Sequence, residues 1–314
     1  MSTKEREFLR SEVTTLEGLL GNLPEDRIIE RIGFEERSRQ AQERLAVLEA
    51  SPLAKALPIT FRGAPVEGTR SIAAGFAAAA LRAFIEATDT VAASLTSEGL
   101  KGRGRLPSAS RSLRIIDTAQ GSFGFELELP PPVTDPAQIP PPIPGEAQDP
   151  YAQAIERTFE LIKDAASSDD VGMSDLIAEI HPRAAAKVRA FAKVLSDHDA
   201  GFAAEFDGKS VHLNRGIEVE HVLDALKDED IAERTEEHSG VLMGILPESR
   251  RFECRLDEGQ LITGRVDRDL ENLGAFEANW ENKKARLTFR VVSVRTNQRF
   301  ILVDAARPEG SIES

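Results

Sequence analysis

The 314-residue chain predicts a multidomain α+β protein: an N-terminal helical hairpin of coiled-coil type, two small α+β units and a C-terminal small β-barrel. Three observations carry this. Leu9, Val13, Leu16, Leu20 and Leu23 recur at spacings of 4, 3, 4 and 3, which puts one apolar stripe on one helix face. The middle of the chain mixes helical and alternating patterns on either side of a proline-rich stretch. From Ser239 onward, short alternating segments separated by turns replace helical periodicity altogether. The boundaries read as 1–52, 55–129, 130–150, 151–238 and 239–306.

In the hairpin, Asn22-Leu23-Pro24-Glu25-Asp26 breaks the first helix, and Pro24 suits the opening position of a second. That second helix carries Ile28, Ile32, Ala41, Leu45 and Leu48. A hairpin this long cannot bury both stripes against itself, so Leu9, Val13, Leu16, Leu20 and Leu23 are the expected oligomer interface. Ser51-Pro52 and Leu57-Pro58 close the region. Ile59-Thr60-Phe61 reads as a strand, 71–95 as an alanine-rich helix, and Leu113–Thr118 with Gly121–Leu129 as a hairpin. Residues 130–150 hold nine prolines in 21 positions, an extended strap or linker. Residues 151–167 and 174–196 read as helices, the latter divided at His181-Pro182. Phe202–Asp207 and Ser210–Asn214 flank an Asp207-Gly208 turn. Residues 217–233 read as a last, acidic helix.

The segments VLMGIL, RFECRL, LITGRV, ARLTFRVVSV and RFILVDA have the spacing of a small closed barrel. The GRV strand and the ENKKARLTF run resemble the OB or SH3-like barrel modules appended to many bacterial regulatory proteins. An OB-type barrel that bound nucleic acid would want exposed aromatics, and Phe252, Trp280, Phe289 and Phe300 are available. Their alternation favours a place in the barrel core.

Composition bounds the partners. Apolar residues make up 41 % and charged residues 29 %, and no apolar run approaches the roughly 18 residues of a membrane span. The charged start MSTKEREFLR is no secretory signal, and Cys254 alone can form neither an intrachain disulfide nor a thiolate metal site. A cytoplasmic location is expected. The net charge of −14 is uneven: residues 131–238 hold 10 basic and 23 acidic side chains, while 239–314 hold 12 of each. An acidic surface repels nucleic acid and anionic lipid. Solubility explains it, and so does a basic protein partner.

No motif for catalysis stands up. The histidines at 181, 198, 212, 221 and 238 have no metal-ligand spacing. Gly208-Lys209-Ser210 ends like a phosphate loop but lies between two strands, whereas that loop must run into a helix. Ser122 begins a strand and is not a nucleophile elbow. Glu281-Asn282-Lys283 with Asp267 or Asp269 formally matches a metal-nuclease pattern but falls at a turn. Lys101, Arg103, Arg105, Arg111 and Arg114 lie in an acid-free stretch and are the candidate anion or partner site. A solvated loop balancing an acidic neighbour explains them first, and docking on the acidic 217–237 helix of the same chain or a second copy is a further reading.

The sequence implies no cofactor and no metal. Its first functional reading is a non-enzymatic protein-interaction, regulatory or scaffold subunit of a bacterial multi-component system such as phage defence. It would act by forming a homo-oligomer or binding a second protein. The alternative is a nucleic-acid or nucleotide-binding protein using the barrel and the 101–114 basic loop, a reading the net charge disfavours. The third is an unrecognised metal-dependent hydrolase whose carboxylates converge only in the fold. No membrane partner is expected.

Overall fold

A computed structural model describes residues 3–24, 27–49, 55–95, 113–119, 123–129, 149–270 and 272–307. Helices α1 (Thr3–Asn22) and α2 (Ile28–Glu49) form the N-terminal pair. The spacing of the leucine stripe turns it toward α2: Leu9 and Leu16 are buried, and Val13 and Leu45 pack with Leu9 and Ala41. Arg37 crosses to Glu12 at 2.6 Å, and Gln42 donates to Glu17 at 3.1 Å. The second helix begins at Ile28, not at Pro24, whose carbonyl instead accepts from the Arg27 amide.

The central unit is an antiparallel sheet with helices on one face. In chain order come β1 (Lys55–Gly63), a small ribbon of β2 (Val66–Glu67) and β3 (Ser71–Ile72), α3 (Ala74–Leu95), β4 (Arg114–Ala119), and β5 (Phe123–Leu129). Next are α4 (Pro150–Ser167), α5 (Asp170–Ile180), α6 (Pro182–Asp197), β6 (Ala200–Phe206), β7 (Lys209–Leu213) and α7 (Ile217–Ala225). The strand order is β4-β5-β1-β6-β7. Alternation aims Leu57, Ile59 and Phe61 of β1 at the helices, where Phe61 meets Phe76 edge-on at 5.3 Å and Phe191 meets Phe202 at 4.9 Å. Ile59 stands between Phe125 of β5 and Ala204 of β6. The two segments read as separate α+β units therefore share one sheet, with β1 as the joint. Gly124 permits that joint, because a Cβ there would lie 1.9 Å from the Ile59 carbonyl oxygen.

The helices start and stop where side chains cap them. Asp149 accepts from the Tyr151 amide at 3.0 Å and Pro150 takes the first turn of α4, so the proline-rich stretch ends in a cap. His181 divides α5 from α6 as expected. Its backbone is at φ 75°, unusual for a residue with a side chain, and its Nδ1 accepts from the Arg183 amide at 3.1 Å. The helix expected over 217–233 stops at Ala225. A short 3-10 turn, Asp228–Asp230, leads directly into strand β8 (Ile231–Leu246). Its polar first half pairs with β11 (Lys284–Val294) from Ile231 opposite Val294 to Val241 opposite Lys284, and this ladder overrides the local helical pattern.

With β9 (Arg251–Leu256), β10 (Leu261–Val266), helix α8 (Leu273–Trp280) and β12 (Asn297–Ala306), these strands close a five-stranded barrel in the order β10-β12-β11-β8-β9. Counted from β8, the third and fifth strands are parallel and a helix joins the third to the fourth, the arrangement of an OB-type barrel. Helix α8 has no counterpart in the expected elements. Phe252 and Phe289 stack in the core at 5.5 Å, and Phe300 meets Phe289 edge-on at 5.8 Å. Cys254 is buried among them, and burial pushes its thiol up to about 12. The barrel is fused to the helices: Val292, Val294 and Ile301 belong to the same apolar core as α5.

His181 sits at that fusion, its Nε2 3.8 Å from Glu233 of β8. Burial holds its imidazole below the ordinary pKa of 6.5, against the pull of Glu233. The unfolded chain thus takes up a proton before the folded one. The stabilisation is complete above pH 6.5 and is lost as the pH falls through the folded value. His181→Asn keeps a capping residue tolerant of positive φ but does not titrate. Urea midpoints measured between about pH 7 and 5 should fall less steeply for His181→Asn than for the parent; equal slopes would show that His181 stays uncoupled from folding.

Candidate functional site

The expected oligomer stripe is used inside the chain. Leu9 and Leu16 are buried against α2, and Val13, Leu20 and Leu23 are half-buried. The apolar residues left outward on the pair are others: Phe8 at 64 % exposure, Leu19 at 46 %, Ile28 at 64 %, Ile29 at 88 %, Ile32 at 60 % and Val47 at 62 %. Of the basic candidates, Lys101, Arg103, Arg105 and Arg111 lie outside the described residues. Arg114 opens edge strand β4, exposed and opposite Glu128 of β5.

The weak motifs have local roles. Asp207 and Gly208, at φ 51° and 78°, make the β6–β7 turn, and Lys209 pairs with Glu156 at 2.7 Å and Glu160 at 3.3 Å. Lys283 donates to the carbonyls of Ala278 and Asn279 at the end of α8, while Asp267 holds Arg290 at 2.8 Å. Among the described residues no group of three His, Cys, Asp or Glu is placed to hold a metal ion. No described helix is long and apolar enough to cross a membrane.

A row of ion pairs joins barrel to helices. Arg299 pairs with Asp175, and Arg295 reaches Asp170 and Asp224, each at 3.0 Å. At the centre is Glu179 of α5, whose side chain is 8 % exposed. It is 3.1 Å from Arg265, 3.4 Å from Arg268 and 3.2 Å from Arg157. Arg250 stands close by, donating to the Leu270 carbonyl at 2.9 Å. Burial, and the neighbouring Arg265, Arg157 and Arg250, lower the Arg268 pKa against the pull of Glu179. Glu160, which pairs with Arg157 at 2.6 Å, adds a second carboxylate, so arginine is in local excess within a strongly acidic protein.

Beside this cluster opens a cavity of about 910 Å³, walled by the outer faces of β9 and β10, the ends of β8 and β12, and Asp175 and Ala178 of α5. In OB-type barrels the face of the second and third strands is the usual ligand surface, and β9 and β10 are those strands. A bulge in β8 at Met243 shapes one wall. On the floor the outward residues stand in pairs, Arg251 opposite Arg265 and Glu253 opposite Thr263, while Leu261 at the edge faces Arg255 outside the lining. Phe252 and Phe289 are core residues, as their alternation implied, while Trp280 and Phe300 pack against the core half-buried.

No family model, curated protein or solved structure matches the chain. The geometry therefore stands alone. It offers two surfaces, the outward apolar residues of the helix pair and the β9–β10 cavity. The second was hidden in the sequence because its arginines alternate with barrel core residues and read as ordinary outward positions. The one sequence signal for it was the string Gly264-Arg265-Val266-Asp267-Arg268, where two cations bracket the end of a strand.

The cavity depends on β10 touching β12 at Gly264, where a Cβ would lie 2.1 Å from the Phe300 carbonyl oxygen and 2.8 Å from the Phe252 ring. Gly264→Ala should lower the urea-unfolding free energy by about 2–4 kcal/mol. Gly274→Ala in α8, where nothing lies within 4 Å, should be neutral or stabilising. Equal stability of the two variants would show that β10 and β12 separate without cost.

Proposed function

We propose that the protein is a non-enzymatic scaffold or regulatory subunit that works by association, and that its helix pair binds a second copy of itself. One observation carries the reading: the pair's inward core is small, yet Ile28, Ile29 and Ile32 project from the start of α2 with Leu19 near the end of α1. Helices in water owe most of their stability to tertiary packing. Here the described apolar packing is Leu9, Leu16 and Ala41 with Val13 and Leu45, for 42 residues of helix. A second pair laid over the isoleucines would bury them and complete a four-helix arrangement.

Charge supports a like partner over a strongly basic or acidic one. Arg39 is bracketed by Glu36 and Glu43, and Arg27 by Glu30, so both signs are interspersed along α2 and largely satisfied within it. Such a face carries no single-sign field to select an oppositely charged partner. A self-complementary interface about a two-fold axis is the commonest solution for such a surface.

Burying an isoleucine is worth about 1.5–3 kcal/mol, so two charges placed there should weaken association by at least about a hundredfold. Native mass spectrometry and light scattering of the full chain are expected to give a defined oligomer. Ile28→Glu with Ile32→Glu should give a folded monomer with an unchanged circular-dichroism spectrum. A monomeric parent protein at micromolar concentration would remove the proposal.

A further inference from the structure

The seam between β10 and β12 is only half closed. The two parallel strands pair at Gly264 with Phe300, Arg265 with Ile301, and Val266 with Leu302. Carried back, the same register would set Leu261, Ile262 and Thr263 opposite Asn297, Gln298 and Arg299, yet no pairing joins those stretches. Each strand is already matched on its other side, β10 to β9 and β12 to β11. Two strand edges thus diverge and face one another across a gap, and an unmatched edge is a template for an added strand. The 910 Å³ cavity opens along this gap, lined by Gln260 to Gly264 on one side and Gln298 to Phe300 on the other.

The side chains around the gap say what would enter. Leu246 and Leu261 stand on the rim at 64 % and 51 % exposure, apolar surface left to solvent. Arg251 lies directly across from Arg265, a like-charge pair that is unfavourable by itself. Glu179 neutralises Arg265, whereas Arg251 is exposed and makes no ion pair among the described residues. Arg299, the third cation of the lining, is held by Asp175. One unmatched cation, Arg251, therefore remains in the lining, two residues along β9 from Glu253, an exposed carboxylate that makes no ion pair among the described residues either.

We propose that this gap is a binding site for an extended polypeptide segment of a partner protein. The segment would add backbone hydrogen bonds to the free strand edges, place one carboxylate on Arg251, and lay an apolar side chain on Leu261. A nucleic-acid strand fits less well. Glu253 and Asp175 line the same cavity, and the net charge of −14 repels a polyphosphate, while a peptide needs to bring only one negative group. This surface is separate from the helix pair, so its fate is independent of the oligomeric state.

The test uses the full chain and a phage-displayed library of random heptapeptides, followed by fluorescence polarisation with the enriched peptide. Selection should converge on a sequence with an acidic residue close to an aliphatic or aromatic one. Arg251→Glu and Leu261→Asp should each weaken that peptide by about tenfold or more. Arg255→Glu, an equal charge reversal on the same strand outside the cavity, should leave it within about twofold. Thermal melts of these exposed-residue variants verify that they fold. No convergence would overturn the inference, as would convergence on a peptide whose affinity ignores Arg251 and Leu261. Binding of a twelve-residue oligothymidylate that Arg251→Glu abolishes would overturn it in favour of a nucleic-acid site.

Discussion

Four barrel arginines and the acids of the preceding helices determine how this protein is put together. Arg265, Arg268, Arg295 and Arg299 meet Glu179, Asp170, Asp224 and Asp175 along one seam. Glu179 is the member on which the others lean, because among the described residues it faces three guanidinium groups from two sides of the seam. Desolvating so many charges costs free energy, which the apolar contacts of Val292, Val294 and Ile301 with the helical core offset. What the charges add is orientation: a barrel rotated against the helices would leave arginines facing arginines. The same geometry sets the edge of the 910 Å³ cavity, since Asp175 and Ala178 form part of its wall.

The uneven charge of the sequence takes on a different meaning in this light. The acid-rich span 131–238 suggested either solubility or a basic partner. Part of its acid answers to the barrel of the same chain, to arginines 71 to 125 residues further along. Charge counting by segment registered the asymmetry and could not see the pairing. Individual arginines in a segment of zero net charge give no sign of which carboxylate they will meet.

Local pattern was readable wherever one periodicity ruled. The stripe at Leu9 and Leu16, the break at His181-Pro182, the Asp207-Gly208 turn and the five barrel strands all appear in the fold. Pattern failed where pairing between distant strands decided the outcome. The stretch Ile231 to Glu237 is acidic and helix-compatible, yet the ladder with β11 holds it as strand. Helix α8 was missed because its eight residues give too few turns for a period to emerge. The cavity was illegible for a related reason: it arises from an absence of pairing between β10 and β12, and no residue type signals a ladder that stops early.

The central place of β1 has a consequence for how the chain is made. Its residues leave the ribosome early, but one of its two neighbours is β6, which begins at Ala200. At ordinary elongation rates, one edge of β1 must wait roughly 7–30 s for that neighbour. During that interval the nascent protein displays a hydrophobic strand with one open edge, the kind of segment that molecular chaperones bind and that aggregates when they are scarce. Synthesis of this protein is therefore tied to the folding capacity of the cell in a way its finished form does not betray.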